Sequence, residues 1–544
     1  MKSAIWASVC VIAVAWPMLA VAETKPAAPF FNPHWAESSP YPVAHGTADF
    51  SPLAGPLGPG RRLRDDEVQW KSIGPVNGFA PVYSTPYPNG KRVIWVGGYD
   101  RVSKLDADTL DVLTTYAIGG NTYFGDEEIR HHVAMMDKLD DKAMADYGVK
   151  LWLEPFRSAA SYYRLLTREN ELYLPHRAAD DSISIQVFGE TDANDPASPI
   201  RLRREWKIPP EISRAGIFSI NMTSDGWVVM VTQDGALTAL SKDFTVHRVL
   251  RLPSKRDEAP GHGTQDLWAS FVRNNLTVDD QGGIYVVTRD YMHRVQWTGS
   301  KLSLDEADGA WSAPYPNELG IGSGTSPSLM GWGPNEDHLV VIADGTKGNN
   351  MMALWRDAIP EDWKGLPGMD RRVAGVTPIR FGVSDHEQAQ VENALVVYGY
   401  GAFINNTFPV QHLPDQGSPT KQWLAESFYM HVPGHEARGG TMVRWDPQAR
   451  KLRTAWQTQL NFASTVCTIS GATEILYCWV NQNREWGLEG LDWKTGNSAF
   501  HYTIGKSHRF NPLGGPVIIA PNGAVDCGCS GGLGIVRVNP KRKH

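Results

Sequence analysis

The 544-residue chain predicts an all-β fold: a β-propeller of eight blades, or of seven with an N-terminal strand completing the last, and a helical insertion after the first blade. Three observations carry this. A unit of strand, tight Gly turn and returning strand recurs, clearest at residues 221–240, 275–296 and 512–538. Its turn glycines recur at similar intervals, Gly226 and Gly283 being 57 residues apart and Gly471 and Gly523 52 apart, the length of one four-stranded blade with its connection. The stretch 126–147 is polar and strongly helical, and it opens on acidic residues that suit a helix N-terminus, with Asp126 as the expected cap.

Residues 1–22 read as a secretory signal peptide. Lys2 is followed by a short apolar run from Ala4 to Trp16 and by the small-x-small site Ala20-Val21-Ala22, with cleavage expected after Ala22. The apolar run is too short for a stable bilayer span, and Cys10 lacks the small-residue context of a lipidated cysteine. The mature chain is thus expected to be periplasmic or secreted. Residues 23–69, rich in Pro, Gly and Ser, form an extended arm, residues 70–538 the propeller, and residues 539–544 a basic tail. Eight units follow in order, centred on 92–118, 162–187, 218–252, 275–304, 325–356, 392–456, 464–504 and 511–538.

A net charge of −7 argues against nucleic acid and anionic membrane surfaces as partners. The twenty Trp are read mainly as packing between blades. Export permits disulfides. Cys467 and Cys478 flank the turn at Ala472-Thr473 symmetrically, so a cross-strand disulfide is expected. Cys527 and Cys529 share one face of a strand, as two buried free thiols or, alternatively, a soft-metal site.

The strand-end tags carry a resemblance. Leu491-Asp492-Trp493-Lys494-Thr495-Gly496 is similar to the ALDxxTG element of quinoprotein-like propeller repeats, as is the segment from Lys104 to Leu110. Tyr41-Pro42-Val43-Ala44-His45-Gly46 resembles the arm that precedes the first blade in many such proteins. The resemblance implies fold rather than chemistry. PQQ dehydrogenases of the usual kind carry adjacent cysteines over the cofactor, and this chain has none. The absence of C-x-x-C-H excludes covalent c-type haem, and G-x-S-x-G, Walker A and H-E-x-x-H are absent too.

Two sets of residues bear possible chemistry. Polar residues at the starts of inner strands, Asn221, Asn275, Glu392, Asn393 and Asn511, are hard oxygen ligands suited to calcium, and the segment 273–279 is similar to the Asn-bearing strands of calcium-dependent propeller lactonases. Histidines in polar loops, His131, His132, His262, His386, His431, His435 and His508, resemble the plan of exported multi-His copper propellers, the nitrous oxide reductase and thiocyanate dehydrogenase type. His131 and His132 cannot face the same way on a helix, and the pair His431 and His435 is interrupted by Pro433 and Gly434. The expected copper ligands are His131, His132, His262, His386 and His435, with Asp385 and Glu392 as proton-transfer groups; Asn275 and Asn511 would join Glu392 in the calcium alternative.

The reading is an exported metal-dependent oxidoreductase, leaning to copper, acting on a small molecule in the tunnel mouth with a periplasmic electron acceptor as a possible partner. The alternatives are a calcium-dependent propeller hydrolase and a non-catalytic binding or assembly scaffold.

Overall fold

The computed structural model describes residues 25–36, 49–75, 81–119, 124–158, 163–254, 271–382, 391–407, 409, 412–463 and 465–541. Within these, the strands form eight sheets in chain order, seven built from consecutive antiparallel strands and the eighth completed from the N-terminal side. Their innermost strands are Val82–Tyr83, Leu165–Leu166, Ile217–Met222, Thr277–Val278, Ser328–Met330, Val396–Tyr398, Thr468–Ser470 and Val517–Ile519, the order of the eight units read from the sequence. Inner and middle strands are buried on both faces. Outer strands such as Ile200–Lys207 are mostly exposed, with Arg204 and Trp206 half-buried, as expected where only one face packs on a neighbouring blade.

The arm is structural. Phe50–Ser51 pairs in parallel with the inner strand of sheet 7, and Arg61–Arg62 with its outer strand, so the arm flanks sheet 7 on both edges and covers strand edges that would otherwise be open. Val68–Ser72 then becomes the outermost strand of sheet 8 against Gly534–Val538. This clasp is reinforced from sheet 1. Tyr83 donates to Asp526, Arg537 pairs with Asp526 at 2.8 Å, and Arg537 also donates to the carbonyls of Ala107 and Asp108. A C-terminal strand and the first blade are thereby tied together through one buried charge pair.

Tryptophans lie mainly between sheets, as the composition suggests. Trp311 donates to the Arg356 carbonyl of the next sheet at 2.9 Å, and Trp445 of sheet 6 stands edge-on to Trp355 of sheet 5. Cys467 and Cys478 face each other across the sheet 7 hairpin and form the expected disulfide, with Cα atoms 4.5 Å apart. Cys527 and Cys529 are buried free thiols in the apolar core, as the sequence suggested, and Cys529 donates to the Phe510 carbonyl.

The helical insertion is longer than its sequence pattern. Helix α1 spans Asp126–Met136 and helix α2 spans Asp141–Ser158, eleven residues past the predicted end. Gly125, not Asp126, occupies the cap of α1, leaving Asp126 in its first turn. A third helix, α3, spans Pro419–Tyr429 inside sheet 6. Ser418 caps it, accepting from Lys421 N, and Pro419 takes the first turn, where it has no backbone donor to waste. Met144, Trp152, Leu424 and Phe428 bury one another between α2 and α3. Gly148 permits that contact, since a Cβ there would lie 2.3 Å from the Phe428 ring.

Candidate functional site

In a four-stranded antiparallel blade, the turn between strands two and three lies at the same end as the link from strand four to the next blade. Four insertions meet this condition here: the α1–α2 pair between sheets 1 and 2, α3 within sheet 6, the Asn483-Arg484 turn of sheet 7, and the turn His508–Phe510 between sheets 7 and 8. They bring together Asp141, His431 and His508. One ligand atom from each lies within 4.8 Å of the others.

Local sequence positions each member. Asp140 caps α2 by accepting from Ala143 N, which places Asp141 in the first turn, where the helix dipole favours a carboxylate. His431 follows the C-terminal cap residue of α3, and Asn461 holds that end by donating to the Met430 carbonyl at 2.9 Å. Ser507 caps the short 508–510 turn that carries His508. Asn483 and Arg484 both have positive φ in a two-residue hairpin loop, the geometry of a type I′ turn, and Arg484 donates from its tip to Asp141 Oδ2.

Asp141 Oδ1 is 3.0 Å from His431 Nε2 and 3.5 Å from His508 Nε2. The two imidazole rings stand edge to face with centroids 4.9 Å apart, and His431 also faces the Trp486 ring. Both imidazoles are buried, their side chains 4% and 7% exposed, while Asp141 at 16% is the open side of the group. The Nδ1 atoms of both histidines are buried without a hydrogen-bond partner. The hydrogen bond with His431 holds the Asp141 carboxyl below its usual range. Burial first, and then the neighbouring His431, push His508 down to about 4, so at neutral pH its lone pair is available to a ligand.

The donor set fits a transition metal. Bonds of about 2.1 Å in a tetrahedral arrangement place neighbouring ligand atoms roughly 3.4 Å apart, close to the separations around Asp141 Oδ1. Arg484 fixes the second carboxylate oxygen, leaving Oδ1 turned toward the imidazoles. A cavity of about 600 Å³ runs beside α1, with apolar walls from Trp70, Ile129 and Val133, and reaches Asp137 and Arg509. These two form an ion pair next to His508, with Arg509 stacked over Trp70.

Of the histidines singled out from sequence, His431 and His508 join the cluster; the residues expected as ligands or proton-transfer groups fall elsewhere. Asp385, His386 and His262 lie outside the described residues, as do residues 1–24. His131 is exposed on α1, while His132 is half-buried and bonded to the Tyr147 hydroxyl; neither joins the cluster. His435 packs against the Tyr429 ring, four residues past His431. Asn511 ties the 508–510 turn to α3 by donating to the Ser427 carbonyl. Asn275 accepts from Ser219 and from the Leu276 backbone.

Glu392 does lie among converging inner-strand starts. Arg273 pairs with it at 2.7 Å, both buried, and Asn274 accepts from Tyr163 and Ser326 while donating to the Gly324 carbonyl. These groups come from sheets 2, 4, 5 and 6, so they form a polar plug across the axis. Burial pushes the Glu392 carboxyl up, against the pull of Arg273. The guanidinium stands where a calcium reading of Glu392 needs the cation.

His431 and His508 were visible as loop histidines, but no spacing linked them to each other or to Asp141. Asp141 lies inside the insertion 126–147, read from sequence as one helical stretch, and carried no signal of its own.

Fold and site together define a β-propeller of eight sheets with an Asp-His-His cluster built on its end insertions. No family model matches the chain. An uncharacterized protein of Archaeoglobus fulgidus is 26% identical over 524 residues, covering 94% of this chain and 89% of that one. Among solved structures, similarity extends to the periplasmic gluconolactonase PpgL of Pseudomonas aeruginosa (TM-score 0.39, 10% identity, 81% of this chain and 97% of that one). It also extends to BamB of Moraxella catarrhalis (0.37, 10%, 68% and 86%) and to the dihydro-heme d1 dehydrogenase NirN (0.34, 11%, 82% and 82%). These neighbours are β-propellers of varied function.

Proposed function

We propose that this protein is an exported metal-dependent oxidoreductase whose metal is held by Asp141, His431 and His508. The observation that carries the reading is the convergence of two buried imidazoles and one carboxylate from three separate segments, within 4.8 Å. Two His and one carboxylate are the donor set of non-haem iron(II) sites, and imidazole equally suits copper, which binds tightest of the first-row divalent ions. Copper remains the preferred ion, and a redox-active metal here would supply one-electron chemistry. The chain's own part is to keep both imidazoles dry and to hold Asp141 through Arg484.

Metal analysis of the purified full-length protein tests this. Stoichiometric copper or iron, lost in His431→Ala and in His508→Ala with the fold retained by circular dichroism, supports the assignment. Zinc in its place would keep the site and remove the redox chemistry. A protein that takes up none of these ions after incubation and desalting overturns the reading.

A further inference from the structure

Arg164 carries a charge that no side chain balances among the described residues. It immediately precedes the inner strand of sheet 2 and is 0% exposed. The other enclosed cations each face a carboxylate: Arg537 with Asp526, Arg273 with Glu392, Lys104 with Glu190, and Arg294 with Asp279. Among the described residues, the Arg164 guanidinium makes one hydrogen bond, from Nη1 to the Gly97 carbonyl at 3.1 Å, and its Nε and Nη2 are buried with no acceptor.

Those two nitrogens form one edge of the guanidinium. Their N–H bonds run parallel, and that edge binds a carboxylate or other oxyanion through two oxygens at once. The remaining nitrogen is anchored, so the edge has a fixed direction. Gly97 lies close beside the group: a Cβ there would lie 3.4 Å from Arg164 Nη1 and 3.2 Å from Leu174. The group sits in the seam between sheets 1 and 2, the two blades joined by α1 and α2, near Tyr99, which stands edge-on to Trp152 of α2. Burial pushes Arg164 down to about 9, so it stays charged at neutral pH. An isolated buried charge is costly, and proteins meet that cost with a counter-charge and hydrogen bonds.

We propose that the seam between sheets 1 and 2 is a binding site for a small oxyanion, carboxylate or phosphate, taken bidentate by Nε and Nη2 of Arg164. Arg164 is not a member of the Asp141 cluster, whose residues come from α2, the end of α3 within sheet 6, and the turn between sheets 7 and 8.

The test uses the full chain, dialysed exhaustively into chloride, with formate and phosphate as separate probes at constant ionic strength. Thermal unfolding is expected to shift upward saturably with at least one probe. Broadening of the ¹³C-formate resonance, reversed by phosphate, would place both probes at one site. Formate acting alone would identify a carboxylate site, and phosphate acting alone a tetrahedral oxyanion site. In Arg164→Lys, which keeps the charge but lacks the paired edge, apparent affinity should fall at least tenfold; in Arg164→Met the saturable shift should vanish. The proposal is overturned if neither probe shifts or broadens with the wild-type protein, if chloride alone reproduces the shift, or if Arg164→Lys binds as tightly as wild type. The wild-type measurements decide the matter even if Arg164→Met does not fold.

Discussion

His431 Nε2 lies 3.0 Å from Asp141 Oδ1, although the two residues are 290 positions apart in the chain. Neither belongs to the repeating blade unit. One opens a helix inserted between sheets 1 and 2, and the other closes a helix inserted in sheet 6. The repeat supplies a rigid platform, and departures from the repeat carry the cluster, as is common where loops stand on a fixed scaffold.

Arg484 should tune this site without being a ligand. It holds Asp141 Oδ2 from the tip of a surface hairpin. Arg484→Ala is expected to weaken metal binding by roughly 10–100-fold, the usual effect of losing a group that orients a ligand. Competition with a chelator of known affinity measures it. Unchanged affinity would show that Asp141 is oriented without Arg484.

Asp526→Ala should strike the ring closure. It strips the buried Arg537 of its carboxylate and Tyr83 of its acceptor. Removing one partner of a buried ion pair costs about 3–5 kcal/mol. Urea unfolding should show a lower midpoint. A loss below about 1 kcal/mol would mean that the carbonyls of Ala107 and Asp108 suffice for Arg537.

The Cys467–Cys478 disulfide closes a short loop, with a sequence separation of 11. Cys467→Ser with Cys478→Ser is expected to lower stability by about 2–3 kcal/mol, from chain entropy returned to the unfolded state. Denaturant midpoints of oxidised wild type and the double variant provide the comparison. Equal midpoints would contradict the expectation.

His293 gives the acid sensitivity a sign. It is buried between Ser312 and Thr288, and burial pushes it down to about 3. Between that value and the unfolded pKa of about 6.5, the unfolded chain binds the proton and the folded chain does not. The stability due to a neutral His293 is therefore full above about pH 6.5 and is lost as pH falls toward 3, by on the order of 5 kcal/mol over the whole window. His293→Gln should flatten the slope of stability against pH in that range. An undiminished slope would assign it to other groups.

Much of the fold is legible before any coordinates. The eight units, the Gly turns at Gly226 and Gly523 and the disulfide follow from periods and spacings that act over a few residues. Helix α3 is not legible in the sequence because its buried face is short and mixed, with Thr420, Glu426 and Ser427 buried beside Trp423, Leu424 and Phe428. The end of α2 was missed because residues 148–158 are apolar enough to resemble a strand, whereas packing of Trp152 and Leu151 against α3 keeps them helical.

The sequence by itself determined the class of fold, because each blade is a local product of alternating burial and tight turns. It also determined Cys467 opposite Cys478, because a hairpin turn sets its own register. Only the tertiary structure decided that Asp141, His431 and His508 meet, that Glu392 is neutralised by Arg273, and that Arg164 is buried without a carboxylate. Those relationships depend on how segments from different blades come together in space, and no pattern within a single segment encodes that distance.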